Sequence, residues 1–201
     1  MSLPSPSGAP NIIGAGRPTP RTVCLLIIAL FLFALFLRSW IVFHGNQPFY
    51  EGDGQRYDEM IERWRETGIY SYGSDEPNAR VTPGFPLFYY AVFFLFGKSE
   101  ATAVWTQMLI SSLTVVPVFF LLYRTAGLWL ASAAALGVAV YPPFIFGSGL
   151  FLTEPLFLLL LACFFWAWSR WMEQPVLRRL WPAAVLLSWA VLTRPAALPI
   201  V

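Results

Sequence analysis

Val23-Cys24-Leu25-Leu26-Ile27-Ile28-Ala29-Leu30-Phe31-Leu32-Phe33-Ala34-Leu35-Phe36-Leu37 is an unbroken apolar run. With Arg38 and the stretch Trp40 to Phe43 it reaches about 20 residues, enough for a helix to cross roughly 30 Å of hydrocarbon. A signal peptide is the competing reading, but the run is long for such a core and no small-x-small cleavage site follows it. It reads as an uncleaved first membrane helix. The whole chain agrees: of 201 residues 57% are hydrophobic and only 12% charged, with a mean hydropathy of +0.61. A soluble domain carries about twice that share of charge. Disordered, collagen-like and ordinary soluble enzyme classes are excluded, and a net charge of +2 gives no reason to expect nucleic acid as a partner. Cys24 and Cys163 lie in apolar runs and form no disulfide framework or zinc pattern.

Outward from the first run, the charge is divided unevenly. Residues 44–100 hold nine of the eleven acids and five bases, a net of −4, while six of the remaining eight bases lie in short connections: Arg17, Arg21, Arg124, Arg170, Arg178 and Arg179. The positive-inside rule places the N-terminus and those connections in the cytoplasm and loop 44–100 outside. Further spans read as Ala101–Tyr123, Leu128–Pro143 and Leu150–Trp168, with a last one from Leu180 onward, interrupted by Arg194. Phe85–Phe96 is too short to span, and counting it as a span would turn Arg124, Arg170, Arg178 and Arg179 outward. It reads as a helix lying in the outer interface or re-entering it, opened by Pro83, Gly84 and Pro86 and closed by Gly97. A second interfacial helix precedes it: Tyr57, Met60, Ile61 and Trp64 stand at i, i+3, i+4 and i+7 among charged neighbours and end at Gly68. The expected fold is an all-α membrane protein with about five transmembrane helices and two interfacial helices in the first outer loop. Residues 1–21 read as a flexible cytoplasmic tail and 22–201 as the membrane domain.

Few residues in such a chain can carry chemistry. Asp53, in Tyr50-Glu51-Gly52-Asp53-Gly54, suits a general base that takes a proton from an acceptor hydroxyl. On position alone it better suits a helix N-cap accepting a backbone hydrogen bond from residue 55 or 56, and the two roles are not exclusive. Arg80, before Pro83-Gly84-Phe85-Pro86-Leu87, presents either a two-pronged phosphate ligand or a snorkelling interface anchor. Glu154 is the only acid between Glu100 and Glu173. A lone carboxylate there is a candidate for binding metal, a substrate hydroxyl or an arginine. Otherwise it stabilises a helix start, with Thr153 as cap and Pro155 in the first turn. Arg194 needs an anionic partner, either Glu154 by depth or a lipid phosphate. Trp40, Trp105, Trp171 and Trp181 read as interface markers rather than sugar platforms.

In order and spacing, these pieces resemble the N-terminal part of the lipid-linked-sugar-dependent membrane glycosyltransferases of the GT-C superfamily, in the protein O-mannosyltransferase and aminoarabinose-transferase branch. The resemblance is carried by Glu51-Gly52-Asp53, Tyr57, Arg80 with Pro83-Gly84-Phe85-Pro86-Leu87, Tyr141-Pro142-Pro143, Leu152-Thr153-Glu154-Pro155-Leu156-Phe157 and Leu192-Thr193-Arg194-Pro195. It implies transfer of a sugar from a polyprenyl-phosphate carrier to an acceptor hydroxyl on the outer face of a bacterial inner membrane, with inversion and with Asp53 as base. It implies substrate contacts from Glu51, Tyr57, Arg80, Glu154 and Arg194, and in some members a divalent metal ion. The partners would be the lipid-linked donor, membrane lipid and a protein, lipid or glycan acceptor.

Two departures stand out. Relatives often carry an acid directly after the aspartate, where this chain has Gly54, so an acid pair could come only from Glu51. Relatives are also much longer, and the chain ends in an apolar stretch at Val201, so it reads as the front part of such an enzyme. Two other classes stay open: a truncated or split subunit that needs a partner chain, and a small transporter. The transporter is disfavoured because no inverted repeat is visible and the polar residues gather at one side.

Overall fold

The structure, a computed structural model, describes residues 19–45 and 49–200, with the side chains of residues 199 and 200 excepted. The tail reading for residues 1–18 therefore lies outside the described residues. Every element is helical: α1 Pro20–His44, α2 Asp53–Thr67, α3 Gly84–Phe96, α4 Glu100–Leu113, α5 Val115–Val140, α6 Pro142–Gly147, α7 Glu154–Glu173 and α8 Leu177–Thr193, followed by a 3-10 turn at Pro195–Ile200. The protein is an all-α membrane protein. Among the described residues, three helical stretches are long and apolar enough to cross a bilayer: α1, the joined run Glu100–Val140, and α7. The outward faces are apolar, as lipid contact requires, with Phe36, Trp129 and Trp181 all exposed.

Local chemistry sets the boundaries. Thr19 caps α1 by accepting the amide of Thr22, and Ser99 caps α4 by accepting that of Thr102. Gly68 closes α2 in the left-handed conformation, φ 73°. The amphipathic reading of α2 holds, since Met60 and Ile61 are its buried apolar positions. The short helix expected over Phe85–Phe96 is α3, one residue longer at its start.

The run Glu100–Val140 is two arms. Gly127 has φ 81° and ψ −178°, a conformation that breaks the helix. Beyond it, Ala131, Ala135 and Ala139 pack in one core cluster with Val115 and Phe119 of the first arm and with Val23, Ile27 and Ala34 of α1. The alanines recur every fourth residue and are fully buried, so three helices approach closely without side chains in the way. The expected break between Tyr123 and Leu128 is this turn. Three expected boundaries move. The span read as Leu150–Trp168 is α7, Glu154–Glu173. The span read from Leu180 begins at Leu177. It stops at Thr193, so Arg194 stands just past a helix end rather than inside a span.

The deepest charge is Arg38 of α1, fully buried. Its Nε donates to Ser111 Oγ at 2.9 Å, Nη1 to the carbonyls of Ala34 and Ala139 at 3.1 Å each, and Nη2 to the carbonyl of Val138 at 3.3 Å. The sequence explains why those carbonyls are open. In a continuing helix, residues 142 and 143 would donate to 138 and 139, but both are proline and have no N–H. Pro142-Pro143 leaves two acceptors bare in an apolar interior, and one guanidinium fills both.

Candidate functional site

Asp53 is the first residue of α2. Gly52 holds the N-cap position with φ 58°, and no side chain caps the helix. The cap reading of Asp53 is therefore corrected: its carboxylate is not spent on its own backbone. Asp53 Oδ1 instead accepts a hydrogen bond from the Tyr72 hydroxyl at 3.2 Å and lies 4.0 Å from Arg56 Nη1, and its side chain is 64% exposed. A carboxylate in the first turn of a helix is favoured by the macrodipole.

Gly54 explains how this carboxylate is placed. It is buried, and a Cβ there would come within 3.1 Å of the Phe151 carbonyl oxygen and 3.3 Å of its Cβ. Backbone meets backbone, and the start of α2 lies directly on the segment leading to Glu154. An acid at position 54 would crowd this contact, and Phe151 would have to give by a few tenths of an ångström. Glu51, the other prospective member of an acid pair, is exposed, and its carboxylate meets no partner among the described residues. The same segment is held from below. The Phe151 amide donates to the Phe49 carbonyl at 3.0 Å. Gln107 Nε2 donates to the carbonyls of Leu150 and Leu152 at 2.8 Å each, while Gln107 Oε1 accepts from the Tyr89 hydroxyl at 2.9 Å. Sequence reasoning passed over Gln107, although a fully buried amide in an apolar helix is itself a signal.

Glu154 opens α7, and its Oε1 lies 2.6 Å from Arg194 Nη1. Of the two partners offered for Arg194, the structure contains the carboxylate. Thr153 stands at the N-cap position without capping; its hydroxyl points to Glu154 Oε2 at 3.4 Å. The pair keeps contact with water, at 45% and 39% exposure, so neither charge is sealed.

A second close approach brings Arg194 here. A Cβ on Gly84 would fall 2.6 Å from the Leu192 carbonyl carbon and the Thr193 nitrogen. The first turn of α3 thus abuts the last turn of α8. Trp189 Nε1 donates to the Gly84 carbonyl at 3.2 Å, and Thr82 Oγ1 to that of Thr193 at 3.3 Å. Arg80 sits on the lead-in to α3, exposed and without an ion pair among the described residues.

Tyr57 lies between the two halves. Its ring stands 5.3 Å from Phe85 and 6.0 Å from Tyr72, centre to centre. Burial pushes its phenol above the ordinary value; the charges of Asp53 and Glu154 add to that, and Arg194 opposes. Tyr57 stays protonated and can donate. One face of the molecule therefore gathers Asp53, Tyr57, Tyr72, Glu154 and Arg194. Tyr72 was missed because nothing in the spacing of the residue 69–84 stretch ties it to Asp53.

The divalent metal raised by the resemblance finds a poor donor set. Among the described residues no three His, Cys, Asp or Glu side chains come together, and Glu154 is already neutralised by a guanidinium. No step below is routed through a metal.

The family model described as dolichyl-phosphate-mannose-protein mannosyltransferase matches residues 75–201. The match takes in Arg80, Glu154 and Arg194 and begins after Asp53. No curated protein matches the chain.

Proposed function

This chain belongs to the dolichyl-phosphate-mannose-protein mannosyltransferase family, a family of membrane glycosyltransferases, and from that premise we propose that it transfers a sugar from a polyprenyl-phosphate carrier to an acceptor hydroxyl, with inversion and with Asp53 as general base. The observation that carries the reading is the docking of Gly54 on Phe151. It sets Asp53 on the same face as the Glu154–Arg194 pair.

In this reading the acceptor hydroxyl gives its proton to the open Asp53 carboxylate as its oxygen attacks the anomeric carbon. The bond to the carrier phosphate breaks on the opposite side of the ring, which inverts the configuration. The phosphate leaves with the bonding electron pair. Arg194, tethered by Glu154 through one Nη, turns its remaining donors to that charge, and Arg80 adds a second cation. Tyr57 and Glu51 contact the sugar or acceptor. A groove of about 340 Å³ between α3 and α8, lined by Gly84, Leu87, Val185, Trp189 and Leu192, runs beside Arg194 and suits the carrier's apolar tail. The acid-rich loop faces outward and the arginine-rich connections face the cytoplasm of a bacterial inner membrane, in line with the charge asymmetry.

The test compares two variants in the natural full-length protein, assayed with a polyprenyl-phosphate sugar. Asp53→Asn lowers the turnover number by about 100-fold or more, the usual worth of a general base, with KM for the donor little changed. Arg194→Gln raises the donor KM. Near wild-type turnover in Asp53→Asn sinks the assignment of the base.

A further inference from the structure

The end of the molecule opposite Asp53 carries a second feature that the transfer reaction does not use. Helix α7 is 20 residues long, so about 30 Å separates Glu154 from Glu173. Around the junction of α7 and α8 lies a groove of about 450 Å³. Its walls are apolar, from Cys163, Trp166, Ala167, Pro182 and Leu186. Its rim is three guanidiniums: Arg170, Arg178 and Arg179. Arg170 lies over the ring of Trp166, 5.9 Å from its centre, and Arg179 Nη1 donates to the Arg170 carbonyl at 3.4 Å.

These three charges are not compensated by the chain. All eleven acids are among the described residues, and none stands within ion-pair distance of Arg170, Arg178 or Arg179. The one acid nearby in sequence, Glu173, is taken by Arg124, whose Nε donates to its Oε1 at 2.8 Å while Nη2 pairs with its other oxygen. Arg178 and Arg179 also sit in the first turn of α8, where the helix dipole opposes positive charge. Three like charges held together at an unfavourable helix end, above an apolar trough, form a site for an anion with a hydrocarbon tail.

We propose that this groove binds an anionic phospholipid: its phosphate sits among the three arginines and an acyl chain lies along Trp166, Ala167 and Leu186. A free phosphate would use the rim and leave the trough empty, whereas a zwitterionic lipid would bring its own cation to the rim. Basic pockets between membrane helices recognise acidic headgroups in this way, with each arginine contributing about fivefold in affinity.

The experiment measures lipid retention on the natural full-length protein in detergent by native mass spectrometry. The probes are dioleoyl phosphatidylglycerol, dioleoyl phosphatidylcholine and inorganic phosphate. The proposal expects phosphatidylglycerol to be retained at least about tenfold more tightly than phosphatidylcholine, with phosphate alone failing to displace it. The triple variant Arg170→Gln, Arg178→Gln, Arg179→Gln loses that preference. Ala167→Trp fills the trough with the charges intact and also weakens phosphatidylglycerol, which covers the case in which the triple variant does not fold. Equal retention of the two lipids, a preference that survives both changes, or displacement by phosphate alone overturns the proposal.

Discussion

Two arginines near the ends of membrane helices meet opposite fates. Arg38 has no carboxylate beside it, yet it is fully buried and makes four hydrogen bonds, three of them to carbonyls. Arg194 has a carboxylate at 2.6 Å and remains 39% exposed. Formal charge pairing would rank Arg194 as the structural residue, and donor accounting reverses that ranking. Almost all the donors of Arg38 are committed, to acceptors that Pro142-Pro143 left open, so its removal strands buried polar atoms. Arg194 spends one nitrogen on Glu154 and keeps others for a ligand. A buried charge with its donors used up is part of the fold, while a charge with donors left over beside open carboxylates is available for chemistry.

The sharpest way to break this contrast is to remove Arg38. Arg38→Met leaves the carbonyls of Val138 and Ala139 without their donor, and the Ser111 hydroxyl keeps only its bond to the Phe144 carbonyl. The expected loss is about 3–5 kcal/mol, as for one partner taken from a buried charged network, read as a fall in the amount of folded protein extracted from membranes. Arg38→Lys keeps the charge but not the fork and recovers only part of the loss.

Gly84→Ala comes next. Its Cβ would overlap backbone atoms of Leu192 and Thr193 at 2.6 Å, so α3 and α8 must separate. About 1–3 kcal/mol of stability is expected to go, together with a raised donor KM because Arg194 moves with the end of α8. A Gly84→Ala protein with unchanged melting and unchanged KM would disconnect α3 from the site. Gly54→Asp is expected to lower activity, because its Cβ would crowd Phe151 at 3.1 Å and push the start of α2 off that segment; an assay per folded molecule decides.

The smallest expected effect lies in the loop. Lys98 pairs with Glu62 and stands 3.2 Å from Asp58 Oδ2, while Asp58 Oδ1 is buried without a partner among the described residues. Burial pushes the Asp58 carboxyl above its ordinary value; Lys98 pulls it back, and Glu62 and Glu59 push it further up. An acid that holds its proton more tightly when folded stabilises the fold at low pH. That contribution is lost as pH rises from about 4, its unfolded value, through the raised folded value. Lys98→Met removes the opposing pull, so loop stability in the variant falls more steeply with pH, by about 1–2 kcal/mol at neutrality. Limited proteolysis between pH 4 and 7 shows the slope; identical slopes would mean that Lys98 does not neutralise Asp58.

Much of the fold was legible because it rests on local rules. The 3–4 spacing of Tyr57, Met60, Ile61 and Trp64 defines the helix α2 and its buried face, Gly68 and Gly97 end helices as expected, and the interruption between Tyr123 and Leu128 is the chain turn at Gly127. Of the site, the depth argument that offered Glu154 to Arg194 needed only position along the helices. What escaped depends on contacts between distant segments. The Tyr72 hydrogen bond to Asp53 crosses the loop, and the Gln107 hold on Leu150 and Leu152 crosses between helices. The bond from Arg38 to Ala139 joins residues 101 positions apart in the chain. In the last case half the signal was present, since Pro142-Pro143 announces two carbonyls in need of donors, but sequence does not say which donor arrives. Gly54 was visible only as a missing acid; its use as a bare backbone surface needed the fold.

With Asp53 as the proposed base, the loop face carries the chemistry and the interior carries the fold. The direct measurement is transfer rate per folded molecule for Asp53→Asn and Arg38→Lys side by side, in the natural full-length protein. The expected result is normal folded yield with transfer reduced by about 100-fold or more for Asp53→Asn, and reduced yield with near-normal transfer per surviving molecule for Arg38→Lys. Full transfer by Asp53→Asn, or a well-folded Arg38→Lys protein that cannot transfer, would contradict it.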